Sequence, residues 1–182
     1  MHKTLIPLGI AALLSACASS PMKPMAPTMG VDNAALPEAV RAPADARLRM
    51  VATGIGEITY ECREKKDMAG QHEWAFVAPV ATLYDSRRAV VGRYYAGPTW
   101  EAADGSRVGG RQLAVAPAAP GSLPLQLVKA DAAMGSGAMA GISHIQRLNT
   151  QGGVAPSAAC DPASVGQRRQ VAYQADYAFY GL

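Results

Sequence analysis

Cysteine and histidine are both scarce in this sequence, with three of each among 182 residues. A zinc site needs several such ligands at short spacing, so we expect no metal site in the globular part of the chain, and no cofactor. The sequence also lacks a nucleophile elbow, a His-Glu zinc motif and a phosphate-binding loop followed by Lys-Ser or Lys-Thr. A binding role is therefore favoured over catalysis.

Charged residues are also few, at 17% of the chain, and they are scattered along it. The formal net charge is +3, and no segment carries a long run of Lys and Arg. Proteins that bind nucleic acid by neutralising phosphates present a concentrated basic face. We therefore expect no nucleic-acid partner.

No apolar run is long enough for a transmembrane helix, which needs roughly 20 residues. The apolar stretch from Leu5 to Leu14 follows Lys3 and has the length of a signal-peptide core. It ends in Leu-Ser-Ala-Cys at residues 14–17, which resembles the recognition sequence of bacterial lipoprotein processing.

This resemblance implies export, cleavage after Ala16 and attachment of diacylglyceryl and acyl groups to Cys17. Residue 18 is Ala rather than Asp, which in enterobacterial-type sorting indicates the outer membrane. We therefore predict a signal peptide over residues 1–16 and a membrane-anchored lipoprotein on the periplasmic side of the outer membrane. The alternative is an ordinary secreted protein in which Cys17 merely falls near the cleavage site.

Five prolines lie between residues 17 and 46, among Ala, Met and Ser. Proline favours an extended and stiff chain, so we predict that residues 17–46 form a tether that holds a domain away from the membrane. The tether carries Met22, Met25 and Met29, whose thioethers suit copper(I). Copper(I) handling is therefore one alternative function.

After lipid is attached to Cys17, two cysteines are left, Cys62 and Cys160. The periplasm is oxidising, which favours a disulfide between them. Closing a loop of nearly a hundred residues would stabilise the fold by roughly 4–5 kcal/mol. Two free thiols and a pair of metal ligands are the alternatives.

From residue 47 to the end, apolar and polar residues alternate with a period of two, which is typical of half-buried strands. Turn signals separate several short strands, and no regular helix alternates with them. We predict that residues 47–182 form a single all-β domain, an antiparallel β-sandwich or barrel-like domain with little helix. In the last segment, the residues predicted to face the core are Val171, Tyr173, Ala175, Tyr177 and Phe179.

Several segments of this domain form a distinctive set. They are Ile58 to Cys62, Trp74 with Phe76, Pro79 and Ala81, Leu83 to Asp85, Gly97 to Glu101, Asp104 to Ser106, Ile145 to Thr150, Gly152 with Gly153, and Tyr173 to Tyr177. Together they resemble the domain of unknown function 3455 family, found in bacterial and fungal secreted proteins. The resemblance covers nearly the whole domain and implies the same domain boundaries and the pairing of Cys62 with Cys160. It implies no activity.

Polar and aromatic residues near the predicted turns and strand ends are candidates for a binding site. They are Trp100, Glu101, Asp104, Arg147, Asn149 and Asp176. We expect Trp100 to be exposed at a Gly-Pro-Thr-Trp-Glu turn, because binding groups concentrate in loops, although tryptophan in a β domain is also a core residue. An exposed aromatic ring beside polar groups suits a small polar ligand.

Two of these carboxylates, Glu101 and Asp176, support a different hypothesis. Carboxylate pairs held roughly 5–10 Å apart hydrolyse glycosides, so a secreted hydrolase acting on carbohydrate is a second alternative. The same residues also have a structural interpretation: Asp104 begins a turn, Glu101 faces solvent, and Asp176 bonds Arg147 or a backbone amide.

The sequence therefore favours a ligand-binding or envelope-associated structural module over an enzyme. Its expected partners are the membrane, through the lipid anchor, and a small polar ligand or a cell-envelope component. This site hypothesis requires that Trp100, Glu101, Arg147, Asn149 and Asp176 converge on one concave surface.

Overall fold

The structure, a computed structural model, describes residues 30–182. In this range eight antiparallel strands close into one barrel, which confirms the predicted all-β, barrel-like single domain. Two short 3-10 helices, Glu38–Val40 and Pro162–Ser164, accompany the strands. The strands are β1 (Arg47–Glu64), β2 (His72–Tyr84), β3 (Val90–Tyr95), β4 (Thr99–Ala102), β5 (Arg107–Ala116), β6 (Leu125–Ala130), β7 (Ile142–Gly152) and β8 (Arg168–Gly181).

Three predictions fall outside the described residues and stay predictions. They are the signal peptide over residues 1–16, the lipid on Cys17, and the copper(I) ligands Met22, Met25 and Met29. Between residues 30 and 182, no helix has the length and apolar character needed to cross a membrane.

Each strand of the barrel pairs with the next one along the chain, and β8 closes the ring on β1. The closing pair is extensive, because β1 and β8 are 18 and 14 residues long. Glycine in β1 allows another strand to come near. A Cβ atom at Gly56 would overlap the carbonyl oxygen of Val80 on β2, so a larger residue does not fit there.

Aromatic side chains pack together in the barrel interior. The ring of Trp100 stacks on Tyr94 with 4.9 Å between centroids, and it meets Tyr177 and Phe179 edge to face. An eight-stranded barrel is just wide enough for side chains to fill. The predicted core face of β8 is confirmed, because Tyr173, Ala175, Tyr177 and Phe179 are buried and Val171 is partly buried against the same core.

Residues 31–46, which we call the strap, lie across the outside of the barrel. Val40 is fully buried and packs with Ala116 of β5 and Leu127 of β6. The predicted tether spans residues 17–46, and the part of it that the structure describes is therefore packed on the barrel instead of extending away from it. Val40 provides the apolar contact that overrides the extended preference of the prolines.

Gln146 of β7 joins the strap to the barrel wall through hydrogen bonds, although its side chain is fully buried. Its Nε2 donates to Oδ1 of Asn33 at 2.9 Å and to the carbonyl oxygen of Val40 at 2.7 Å. Its Oε1 accepts from the hydroxyl of Tyr180 at 2.7 Å. Because every polar atom of this buried amide is engaged, the strap is held in one position.

Cys62 and Cys160 form a disulfide, with 5.5 Å between their Cα atoms. The bond joins β1 to the loop 153–167, which connects β7 and β8. Nε1 of Trp74 donates to the carbonyl oxygen of Ala158 in the same loop at 2.7 Å. The loop is therefore attached to the barrel by a covalent bond and by a hydrogen bond.

Candidate functional site

A groove of about 500 Å³ lies between the beginning of the strap and the barrel wall. Small-molecule sites commonly have volumes of about 300–1,000 Å³. We call it the strap groove. Its apolar walls include Val31, Leu36, Val51, Leu125 and Leu148. The polar side chains that line it are Asp32, Thr53, Asn149 and Asp176.

Asp176 of β8 lies at the centre of the polar side of the groove. Its neighbours Ala175 and Tyr177 are buried in the barrel core, so strand alternation points Asp176 to the outside. Thr53 is its partner across the β1–β8 pair, and the Thr53 hydroxyl donates to Oδ1 of Asp176 at 2.7 Å. Nδ2 of Asn149 donates to Oδ2 at 2.8 Å. Both carboxylate oxygens are therefore held in place.

A β-bulge positions Asn149 for this contact. The pairing of β7 with β8 is interrupted between Leu148 and Gln151, and Asn149 has a φ of +48°. Asparagine tolerates this left-handed conformation better than most residues other than glycine. Bulges commonly redirect a side chain near a functional site, and here the bulge brings Asn149 to Asp176.

Asp32 contributes a second carboxylate to the groove. Its Oδ1 accepts from the backbone amides of Ala34 and Ala35, at 3.1 and 3.2 Å, which is the geometry of an Asx turn. This turn begins the strap, and Asp32 lines the same groove as Asp176. Within the described part of the chain, the groove is lined by two carboxylates and by no Lys, Arg or His.

The prediction that Trp100 is exposed is wrong. Its side chain is 1% exposed, because β4 continues through the predicted turn and directs the indole into the aromatic core. Its Nε1 has no hydrogen-bond partner, and it is the one buried side-chain polar atom in residues 30–182 in that state. Trp100 therefore belongs to the core and offers no surface to a ligand.

Glu101 lies on the outer face of β4, away from the strap groove. It accepts from Nη2 of Arg93 at 2.8 Å and from the hydroxyl of Tyr95 at 2.7 Å. The Tyr95 hydrogen bond, followed by that of Arg93, holds the pKa of Glu101 below its ordinary value. In the eight-stranded ring β4 is four strands from β8 in either direction. Glu101 and Asp176 therefore face outward from opposite sides of the barrel and do not form a carboxylate pair.

Asp104 has the structural role predicted for it, since it begins a turn. Its Oδ1 accepts from the backbone amide and the hydroxyl of Ser106, and its Oδ2 accepts from the amide of Ala138 at 2.8 Å. These bonds, with the Ser106 side chain first, lower the pKa of Asp104. The carboxylate joins the β4–β5 turn to the loop before β7.

Arg147 is also separated from Asp176. Its partner across the β7–β8 pair is Tyr177, and partners in register project from the same face of a sheet, which here is the inner face. Its Nε and Nη2 donate to the carbonyl oxygen of Pro124, at 3.2 and 3.0 Å. The structural interpretation in which Asp176 bonds Arg147 is therefore wrong, since Asp176 accepts from Thr53 and Asn149.

Of the six candidates, the structure brings together Asn149 and Asp176. The required convergence of five residues on one surface does not occur. Sequence reasoning missed Thr53 and Asp32, and it also missed the apolar wall contributed by the strap. One signal was available: Leu36 and Val40 are spaced apolar residues in a segment that prolines otherwise mark as extended.

No group of three or more His, Cys, Asp or Glu side chains within residues 30–182 is arranged to hold a metal ion.

Comparison with known families gives one result. The family model described as a protein of unknown function (DUF3455) matches residues 43–181, a range that includes the end of the strap and all eight strands of the barrel. No curated protein and no solved structure matches this chain. Because the match covers most of its length, the chain belongs to the DUF3455 family.

Proposed function

We propose that this protein is a ligand-binding module of the cell envelope, and that a small amphipathic ligand lies in the strap groove. The observation that carries the proposal is the convergence of Thr53, Asn149 and Asp176 from three strands beneath apolar walls. Binding sites are typically apolar clefts with a few convergent polar groups. The groove has this composition.

The outer position of the site follows from the way the barrel is filled. An eight-stranded barrel either is filled by side chains or holds one small ligand. Here Tyr94, Trp100, Tyr177 and Phe179 are in mutual contact inside the ring. The interior space is thus taken by aromatic rings, and a ligand is better accommodated outside the ring, under the strap.

The predicted lipid anchor supports an envelope setting. Gly30, at the rim of the groove, follows Cys17 by thirteen residues. A fully extended chain of that length spans at most about 45 Å. If Cys17 carries lipid, the groove lies within this distance of a membrane surface, where a ligand from the envelope is accessible.

The other functions considered for the sequence have less support. Glu101 and Asp176 project from opposite sides of the barrel, so no observation favours hydrolysis of carbohydrate by this pair. Copper(I) handling rests on Met22, Met25 and Met29, which lie outside the described residues, and it stays a prediction.

The test is to block the groove. Ala35 is exposed and lines the groove, whereas Ala34 is exposed and does not line it. Ala35→Trp should therefore fill the groove, and Ala34→Trp is the matched control. The chain carrying Cys17→Ser would be titrated with hexanol, hexylamine and hexanoate while NMR signals of Asn149 and of the Leu148 and Val31 methyl groups are followed.

At least one of these probes should shift the groove signals in the parent chain and in Ala34→Trp, and no shift should occur in Ala35→Trp. Shifts spread over other exposed apolar residues, such as Val80 and Val90, would contradict the proposal. So would probe binding that Ala35→Trp leaves unchanged.

A further inference from the structure

We propose that the ligand of the strap groove is an organic cation, namely a protonated primary or secondary amine with an aliphatic flank. This inference rests on the proposed function and names the ligand class for the same site. It follows from the charges that line the groove, from the hydrogen bonds of Asp176 and from the nature of the walls.

The charges that line the groove have one sign. Asp32 and Asp176 line it, and no basic residue within 30–182 does so. The one Lys or Arg of the strap, Arg41, is exposed and donates from Nε to the carbonyl oxygen of Leu36 at 2.8 Å. An anionic ligand would meet two like charges in the groove, whereas a cation would meet two opposite ones.

Asp176 has no cationic partner among the described residues. The ion pairs formed by residues 30–182 use Glu61, Asp85 and Glu101 as their acids. Asp176 accepts only the neutral hydrogen bonds of Thr53 and Asn149. A carboxylate offers about four acceptor positions, so Asp176 retains the capacity to accept from a ligand.

The two neutral donors also orient this carboxylate. Each of its oxygens is held by one donor, Thr53 on β1 and Asn149 on β7. A ligand that donates to Asp176 therefore meets a group whose position is already set, which reduces the entropy lost on binding. A positively charged donor makes a stronger bond to it than a neutral hydroxyl does.

The walls of the groove narrow the chemical class of the ligand further. They are aliphatic, with Val31, Leu36, Leu125 and Leu148 among them, and no described aromatic residue lines the groove. Quaternary ammonium ions are typically recognised by aromatic cages through cation–π contacts. This groove instead offers a hydrogen-bond acceptor, which requires a ligand with N–H donors and an aliphatic part to cover the walls.

The experiment compares three probes of equal chain length and different charge. Hexylamine, which is protonated at neutral pH, hexanol and hexanoate would be titrated into the chain carrying Cys17→Ser, with the groove signals followed by NMR. Asp176→Asn removes the charge and keeps the shape. Glu101→Gln, on the opposite side of the barrel, is the matched control.

We expect hexylamine to bind about tenfold more tightly than hexanol, the difference that one charge-assisted hydrogen bond supplies, and hexanoate to bind most weakly. Asp176→Asn should remove the preference for hexylamine, and Glu101→Gln should retain it. Asp32→Asn preserves the Asx turn and removes a more distant negative charge, so it should weaken the binding of hexylamine by about two- to threefold.

The outcomes separate the two proposals. If hexanol and hexanoate bind in the groove as tightly as hexylamine, and Ala35→Trp blocks all three, the cation inference fails and the binding module stands. If no probe shifts the groove signals, both proposals fail. If Asp176→Asn does not fold, the order of the three probes on the parent chain and the effect of Asp32→Asn still decide the inference.

Discussion

The side-chain amide of Asn149 lies 2.8 Å from the carboxylate of Asp176, across the β7–β8 pair. The contact depends on a bulge after Leu148, where Asn149 takes a φ of +48°. In an uninterrupted strand, Asn149 would project from the opposite face to Leu148, and Leu148 packs beneath the strap. The polar side of the groove thus requires a local irregularity of the backbone.

Substitutions at Asn149 should separate the backbone effect from the hydrogen bond. Asn149→Val places a β-branched residue in the left-handed region, and we expect the free energy of unfolding to fall by about 2 kcal/mol. Asn149→Gly adopts this conformation without strain and loses only the bond to Asp176, so the loss should be about 1 kcal/mol or less. Urea denaturation measures both, and equal losses would contradict a strained backbone.

Replacing Gln146 should release the strap. Gln146→Leu leaves the Tyr180 hydroxyl and the Val40 carbonyl oxygen without their buried partner, at a cost of about 2–3 kcal/mol in the free energy of unfolding. Gln151→Leu, at an exposed position of the same strand, should change it by less than about 0.5 kcal/mol. Urea denaturation with hydrogen exchange at the strap amides tests this, and unchanged strap protection in Gln146→Leu would refute it.

Stability should decrease in mild acid because of His144. Its side chain is 6% exposed, and burial, followed by the charge of Lys129, holds its pKa below the ordinary 6.5. The unfolded chain therefore binds this proton more readily than the folded one, and stability is lost as pH falls below about 6.5. Carboxyl groups with a lowered pKa, such as that of Asp104, lose their stabilising contribution to the fold at a lower pH than His144 does.

Thermal unfolding at several pH values between roughly pH 7 and pH 5 measures this loss of stability, since the ordinary pKa of histidine lies within that interval. His144→Gln should flatten the loss of stability across the interval, while Gln151→Leu, which changes no titratable group, should keep it. A pH dependence that His144→Gln leaves unaltered would assign the effect to another group.

Intact mass tests the predicted anchor and the disulfide together. Protein purified from membranes should carry a lipid-sized mass increment that Cys17→Ser removes, because Cys17 is the predicted acceptor. Cys62 and Cys160 form a disulfide, so they should resist alkylation until a reductant is added. An unlipidated chain would refute the anchor, and alkylation without reductant would refute the bond in the purified protein.

Strand periodicity was sufficient to predict the class of fold and the core face of β8. A strand places every second side chain on the same face, so Tyr177 and Phe179 could be assigned to the core from their spacing. The same rule failed at Trp100, because Gly97 and Pro98 indicate a turn and β4 has only four residues. Its indole is buried because the β3–β4 pair sets Tyr94 directly opposite it and the closed ring brings Tyr177 of β8 beside it.

The strap shows a similar limit of prediction from sequence. Its prolines indicate an extended spacer, and they say nothing of what lies beside it. Val40 is buried because the outer wall of the barrel offers Ala116 and Leu127 to it, residues that are far away in the sequence. The burial of apolar surface outweighs the local preference once the barrel exists.

The sequence by itself determined the all-β class, the alternation of each strand and the cysteines available for pairing, because each of these depends on residue type and local spacing. Only the tertiary structure decided that Thr53, Asn149 and Asp176 meet. Thr53 and Asp176 are 123 residues apart, and they are adjacent because β8 closes the ring on β1. Pairing between distant strands is set by the burial and hydrogen bonding of the whole barrel, which no single segment encodes.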